Sequence, residues 1–345
     1  MISVTQVRTD EAAKAWDRYV ENHPAASGYH VMAWRGVVEK ACGHRTYYLM
    51  ATDEHEEVRG VLPLVFMSSR LFGHFLVSMP FFNYGGVLTD SSEAEEALLG
   101  AAVGLARELE ATCIELRHQG PLDVNWPSKQ HKVSMRLELP GDLDTLWKNF
   151  PSQLRTKIRR AQKEEMTVRI AAIEILDDFY RIFVRNMRDL GTPVYGRGFF
   201  EAILQAFPAD TRICVVYLKN RPVAAGFLYG FRNRLEIPWA SSDRRYNRLR
   251  PNTLLYSSVL EFACRGEFQQ FDFGRSSNDS GTYHFKEQWG ARPVPLYWYY
   301  WSTNSRAMSE VSRENSMYST AIRIWSRLPL VVTRIIGPAI VRHIP

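Results

Sequence analysis

The chain has 345 residues, 46% hydrophobic and 23% charged, which describes a globular protein long enough for two domains of ordinary size. A formal charge of +6 is modest for a nucleic-acid binder, yet it favours anionic partners such as phosphates, carrier lipids or RNA. Cys42, Cys113, Cys214 and Cys264 stand far apart in apolar surroundings, with no paired spacing that suggests a metal site or a disulfide framework, and fit buried, reduced thiols.

Asp10, Glu11, Lys14, Asp17 and Arg18 leave no room for the apolar core of a secretory signal. No uncharged run approaches the ~18 residues needed to cross a bilayer. The expectation is therefore a cytoplasmic protein, with at most a peripheral association with the inner membrane.

In chain order, Ile2 to Asn22 reads as a strand followed by a helix with Ala13, Trp16 and Val20 on one face, and Val31 to Cys42 as a second helix closed by Gly43. Strands follow at Thr46–Ala51, Val58–Met67 and Phe75–Pro80, the last leading into Asn83-Tyr-Gly-Gly86. Ser92 and Glu95 form a capping box for an amphipathic helix, and Ile114–Arg117 is the next strand.

The same order returns in the second half. Helices at Leu176–Leu190 and Gly198–Phe207 precede strands at Arg212–Leu218, Pro222–Phe231 and Arg234–Ser241; Asn252 caps a helix to Arg265, and Gln270–Phe273 closes the series. Val61 matches Val223, Pro80 matches Pro238 and Glu115 matches Asp272, at offsets near 160 residues. Two copies of one mixed α/β fold explain this order.

Between the halves, Ser152 caps a helix with Leu154, Ile158 and Ala161 inward and Arg155, Lys157, Arg159, Arg160 and Lys163 outward. The outward face reads either as a solvated surface or as a phosphate-binding wall. Beyond Tyr318 there is no Asp or Glu, while Arg323, Arg327, Arg334, Arg342 and His343 stand among apolar residues and Trp325. Such a tail suits a membrane interface or docking on the body, with Pro329 and Pro338 as breaks. The resulting division is 1–140, a basic linking helix 141–170, 171–305, and a tail 306–345.

Three segments carry a family resemblance. Asp272-Phe-Gly-Arg-Ser-Ser with Gly281-Thr-x-x-Phe-Lys286-x-x-Trp-Gly290, Pro80-Phe-Phe-Asn-Tyr-Gly-Gly86, and Phe150-Pro-Ser-Gln-Leu-Arg-x-Lys-Ile-Arg-Arg-Ala161 resemble the Fem-type peptidyltransferases. More narrowly, they are similar to the FemAB-related proteins of exosortase and PEP-CTERM systems in polysaccharide-exporting bacteria. The resemblance implies two tandem GNAT-like (acyl-CoA-dependent N-acetyltransferase) domains, each a largely antiparallel mixed sheet flanked by helices. It implies transfer of an acyl or aminoacyl group to an amino group of an envelope or exopolysaccharide precursor, which is possibly lipid-linked. The donor is an aminoacyl-tRNA or an acyl-CoA or other acyl carrier, with no tightly bound cofactor and no metal.

Direct attack of an amine on a carrier-bound acyl group needs no covalent nucleophile. The sequence fits this, having no Gly-x-Ser-x-Gly, P-loop, dinucleotide fingerprint or His-Glu-x-x-His. The phosphate loop of ordinary acetyltransferases corresponds to Arg245-Tyr-Asn-Arg248-Leu-Arg250, with arginines in place of both glycines. Arg244, Arg245, Arg248 and Arg250 are then expected to hold phosphates through guanidinium forks.

Lys286 matches the signature lysine and is the leading catalytic candidate, with Arg275 and Asp279 in the loop before it. Asn83 and Tyr84 are expected at the acceptor pocket. Arg155, Arg159, Arg245 and Arg248 are expected on phosphate, and Tyr283 and Trp239 beside the substrate, Trp239 equally fitting a packed sheet position. Alternative functions are an acyl-CoA or acyl-carrier N-acetyltransferase of polysaccharide synthesis, and a non-catalytic binding or scaffold protein.

Overall fold

A computed structural model describes residues 1–69, 73–303 and 316–344. In chain order the elements of the first half are β1 (Ser3–Gln6), α1 (Asp10–Asn22), α2 (Ala33–Cys42), β2 (Arg45–Thr52), β3 (Val58–Ser69), β4 (Gly73–Val77), β5 (Leu88–Thr89), α3 (Ser92–Glu108), β6 (Cys113–His118) and β7 (Ser128–Lys129). There follow β8 (Lys132–Glu138), α4 (Leu143–Asn149), α5 (Ser152–Gln162), β9 (Met166–Ala171), α6 (Leu176–Asp189), α7 (Arg197–Ala206), β10 (Thr211–Leu218), β11 (Arg221–Phe231) and β12 (Arg234–Ser242). The chain continues with α8 (Pro251–Arg265), β13 (Gln270–Ser277), α9 (Gly281–Glu287), β14 (Arg292–Pro295), β15 (Tyr297–Ser302), α10 (Ser316–Trp325) and α11 (Leu330–Val341).

Two compact units result. The first takes Met1–His131, 295–303 and 342–344; the second takes Lys132–Val294 and 316–341. Each is built on one mixed sheet. The first sheet runs β1-β2-β3-β4-β6-β15-β7, with β5 on β3, and the second runs β9-β10-β11-β12-β13-β8-β14. The two paths coincide strand for strand. In each, an antiparallel series leads to a single parallel pair, β4 with β6 and β12 with β13, whose last strand has an antiparallel neighbour, β15 or β8, and a short edge strand beyond it. The expected tandem of GNAT-like folds is what the chain forms.

The last partner of each parallel pair comes from the other half of the sequence. β8 leaves the end of the first half to pair with β13, and β15 follows the second half to pair with β6. The units therefore do not divide at 140 and 305. Residues 132–140 and the basic helix belong to the second unit, and 297–302 to the first. The tail is likewise not a separate region: α10 and α11 belong to the second unit, while 306–315 lie outside the described residues.

Local chemistry explains most element bounds. Thr9 caps α1, its hydroxyl accepting the Ala12 N–H at 3.2 Å, and Trp16 and Val20 are buried as the periodicity predicts. Leu154, Ile158 and Ala161 of α5 join the core of the second unit with Leu255, Val259 and Phe271. Several caps lie one residue from their expected place. Ser91 rather than Ser92 caps α3, Ser152 is the first residue of α5 after Pro151, and α8 opens at Pro251 behind Arg250 rather than at Asn252. Proline fits the first helical position because that N–H has no helical partner. Glu115 and Asp272 both fall at the last parallel pair, Val77↔Glu115 and Glu236↔Asp272. Pro80 lies past the end of β4 whereas Pro238 is inside β12, so those prolines are not equivalent. Pro338 sits within α11 and does not end it.

Candidate functional site

In open sheets, ligands gather at the carboxyl ends of parallel strands, where the neighbouring strands part. In the second unit this place lies just after Glu236 and Asp272. β13 does not stop at Gly274, as its polar sequence suggests, but runs to Ser277 against β8 through a bulge between Asp272 and Arg275. Gly274 adopts φ +75, a conformation glycine takes without cost. The fully buried Asp272 accepts the Gly274 N–H at 2.7 Å, the Ser134 hydroxyl at 2.6 Å and Arg136 Nε at 3.3 Å.

Lys286 reaches this bulge from α9. Ser280 caps the helix by accepting the Tyr283 N–H, and Phe285 and Trp289 anchor it against Tyr256 and Phe273. The lysine is buried, and Nζ donates to the Gly274 and Arg275 carbonyls, each at 2.9 Å. Burial pulls its pKa down to about 8, against the opposing pull of Asp272 and Glu236. A lysine so placed is a rigid positive centre that changes charge within a degree of alkalinity enzymes meet.

A second feature of this unit is cationic. Arg160 and Lys163 of α5, with Arg248 and Arg250 ahead of α8, line a cavity of about 330 Å³ shared with Glu164 and Leu249. Arg250 holds the left-handed backbone at φ +59 and passes directly into Pro251 at the start of α8. A helix N-terminus carries partial positive charge, so four cationic side chains and the α8 terminus together suit a phosphate.

The remaining predicted cations lie elsewhere. Arg245 forks onto buried Asp243, which also meets Arg185 at 3.6 Å. Burial works to raise the Asp243 pKa, but the hydrogen bonds and charge of Arg245 outweigh it and hold the group low. Arg155 donates to the Lys148 carbonyl, and Arg159 lies over Trp147 at 5.3 Å. Arg275 is on β13 with its side chain outward, not in a loop; its carbonyl rather than its guanidinium meets Lys286. Asp279 is an exposed turn residue at φ +55. Tyr283 packs against the core, and Trp239 sits edge-on among Tyr195, Phe199, Phe200 and Phe227.

In the first unit, the turn after β4 is pinned to β6 and β15. Arg117 Nη1 donates to the Phe82 carbonyl at 2.7 Å, Gly85 N–H to the Arg117 carbonyl at 3.0 Å, and Trp298 Nε1 to the Asn83 carbonyl at 3.2 Å. Met79, Phe81 and Gly85 all take positive φ there. Tyr84, Gly86, His30 and His118 line a pocket of about 200 Å³; Asn83 is not among its lining residues, contributing its carbonyl to the turn instead.

His30 and His118 carry no spacing signal and were not predicted. His30 Nδ1 accepts the Ser27 N–H, so its proton sits on Nε2 and is donated to the Gly86 carbonyl at 3.1 Å. His118 Nε2 accepts the Val87 N–H at 3.4 Å, which places its proton on Nδ1. Burial lowers their pKa values to about 4 and about 3, the His30 ring also disfavouring charge on His118. A Cβ on Gly86 would stand 2.3 Å from His118 Nε2, so only glycine fits.

These two units share a tandem fold of the GNAT type. Comparison with known proteins agrees at that level. Residues 148–287 match the model of the Acetyltransferase (GNAT) domain, wholly within the second unit. No curated protein sequence matches significantly. Among solved structures, the chain is similar to FemX, with a TM-score of 0.68 at 16% identity, covering 90% of this chain and 100% of that one. It is also similar to a tandem GNAT protein from the clavulanic acid biosynthesis pathway (TM-score 0.58, 11% identity, 88% and 99% covered). The L-PGS of Bacillus licheniformis is a further neighbour (TM-score 0.56, 12% identity, 95% and 97% covered). At these identities the likeness is one of fold.

Proposed function

We propose that the protein is an N-acyltransferase whose acyl donor rides on a phosphate-bearing carrier, bound in the second unit. The observation that carries this reading is the cavity of Arg160, Lys163, Arg248 and Arg250 at the start of α8. The matched acetyltransferase domain includes that stretch, and here guanidinium forks take the part that bare glycine amides play in ordinary members. The donor is an aminoacyl-tRNA, as the Fem-type segments and the FemX likeness favour, or an acyl-CoA or acyl-carrier thioester.

The chemistry is addition of a neutral amine to the acyl carbonyl, collapse of the tetrahedral oxyanion, and expulsion of the carrier's oxygen or sulfur, which takes up the proton the amine gives up, relayed through water. We assign Lys286 the positive charge that supports this centre, through its hold on the Gly274–Arg275 bulge. The acceptor is read as an amino group on a cell-envelope or exported-polysaccharide precursor, engaged by the first unit around Tyr84. A place in an exosortase/PEP-CTERM system rests on the resemblance of the three Fem-type segments alone.

Thermal-shift and turnover assays with coenzyme A thioesters and aminoacyl-tRNA, on the native chain and on Arg160→Ala/Arg248→Ala, test the donor assignment. A donor that stabilises the native chain but not the double variant supports it. Failure of every phosphate-bearing donor to bind overturns it, and binding without turnover in the presence of amino-sugar acceptors turns the reading to a non-catalytic binding protein.

A further inference from the structure

Of the ten large apolar side chains exposed among the described residues, seven fall between Ile322 and Ile344. Monomeric proteins seldom gather exposed apolar groups in one place without a use for them. The cause here is how α10 and α11 dock. Gly191 and Gly337 allow close approach: a Cβ on Gly191 would meet Ile322 Cγ2 at 2.4 Å, and one on Gly337 would meet Val194 Cγ1 at 2.9 Å. Thr333, Gly337 and Val341, four residues apart, face inward, and Arg188 Nη1 holds the corner by donating to the Leu328 carbonyl at 3.2 Å. The opposite face of α11 is left bare, with Val331 68% and Ile335 70% exposed, and Ile324 of α10 is likewise exposed.

The two helices and the turn between them carry charge of one sign. Arg323, Arg327 and Arg334 are exposed, and residues 316–345 contain no Asp or Glu. A protein partner for an apolar patch needs no such bias, whereas an anionic bilayer does: its headgroups attract arginine while its acyl region takes the branched side chains. Neither helix spans, having 10 and 12 residues against the ~20 a crossing requires. We propose that the α10–α11 pair is a membrane-docking face that lies in the plane of an anionic lipid surface. This proposal stands independently of the acyl-transfer reading.

The test is co-sedimentation of the full chain with phosphatidylcholine vesicles prepared with and without phosphatidylglycerol, at low and high salt. The protein is expected to partition onto the anionic vesicles and to be released by salt. Val331→Glu/Ile335→Glu should weaken partitioning by about tenfold or more, because these side chains then refuse the acyl region. Both positions are exposed, so the melting temperature is expected to hold; Val331→Ser/Ile335→Ser gives the same comparison without added negative charge. The proposal fails if anionic vesicles bind nothing, if both double variants partition like the native chain, or if sedimentation velocity shows a native dimer that the variants dissociate, which would assign the face to a second copy.

Discussion

The two units follow one strand path yet treat the end of the parallel pair in opposite ways. In the first, the acid at that position, Glu115, is bound by Arg117 Nε at 2.6 Å, and the same guanidinium lies 4.5 Å over Trp298. The neighbouring pocket is lined by two imidazoles held neutral together with one acid, Glu95, and one base, Arg117. In the second, the corresponding Asp272 organises a bulge that receives the Lys286 ammonium, and four further cationic side chains surround a separate cavity. The shared strand path places an acid at the end of each parallel pair, and the residues around that acid differ between the units. The division of labour proposed above, a phosphate-bearing carrier in the second unit and an amino acceptor in the first, rests on this difference.

The sharpest way to break this comparison is Lys286→Met. Loss of a positioned charge of this kind costs about 10²–10³-fold in turnover, and kcat measured with a donor found by the binding screen should fall by that much. Lys286→Arg, which keeps the charge, should recover part of it; turnover unchanged in the methionine variant would reduce Lys286 to a staple for the bulge.

Glycine substitutions come next. Gly86→Ala should destabilise by about 1–3 kcal/mol through overpacking against His118, whereas Gly274→Ala should cost about 1–2 kcal/mol through its left-handed backbone. Denaturant melts separate the causes, since Gly86→Ala combined with His118→Ala should regain stability and no neighbour change should rescue Gly274→Ala.

Smaller effects follow at the cationic cavity. Arg160→Ala and Arg248→Ala should each weaken donor binding about tenfold, or ~1.4 kcal/mol, and flatten its salt dependence. Arg245→Ala, which removes one of the two arginines on Asp243 instead, should act mainly on stability; titrations at two salt concentrations would distinguish them.

The mildest prediction concerns pH. The His30 and His118 values lie below the ordinary imidazole value of 6.5, so the unfolded chain binds more protons between about 4 and 6.5, and stability falls as pH drops through that window. Lys286 lies below its ordinary 10.5, so stability should rise as pH climbs from about 8 towards 10.5. Melting curves across both windows should lose the acid arm in His30→Gln/His118→Gln and the alkaline arm in Lys286→Met.

Much of the architecture was legible because apolar alternation and helix order repeat with little change, which is why Glu115 and Asp272 could be paired from spacing alone. The exchange of β8 and β15 was not. A strand's alternation reports that one face is buried, but not which sheet buries it. Cap positions slipped by a residue where two good capping residues adjoin, as at Ser91 and Ser92, or where proline competes with asparagine, as at Pro251 and Asn252. Arg275 was misplaced because a bulge lets a polar stretch continue as strand. The basic face of α5 was visible, but not that Arg160 and Lys163 rather than Arg155 and Arg159 share a cavity with Arg248; that depends on where α8 begins. His30 and His118 were invisible, since a buried neutral imidazole leaves no pattern in sequence.

The exchanged strands also govern the order in which the protein can be made. β6 is complete at His118, yet its partner β15 is not synthesised until Tyr297, after nearly all of the second unit has emerged. The edge of β6 must therefore wait, unpaired and exposed to mispairing, through most of translation. The second unit has no such delay, because β8 precedes β13 in the chain. No single cut in the backbone yields two self-sufficient halves, and a fragment ending at His131 should emerge as an aggregation-prone sheet lacking its neighbour.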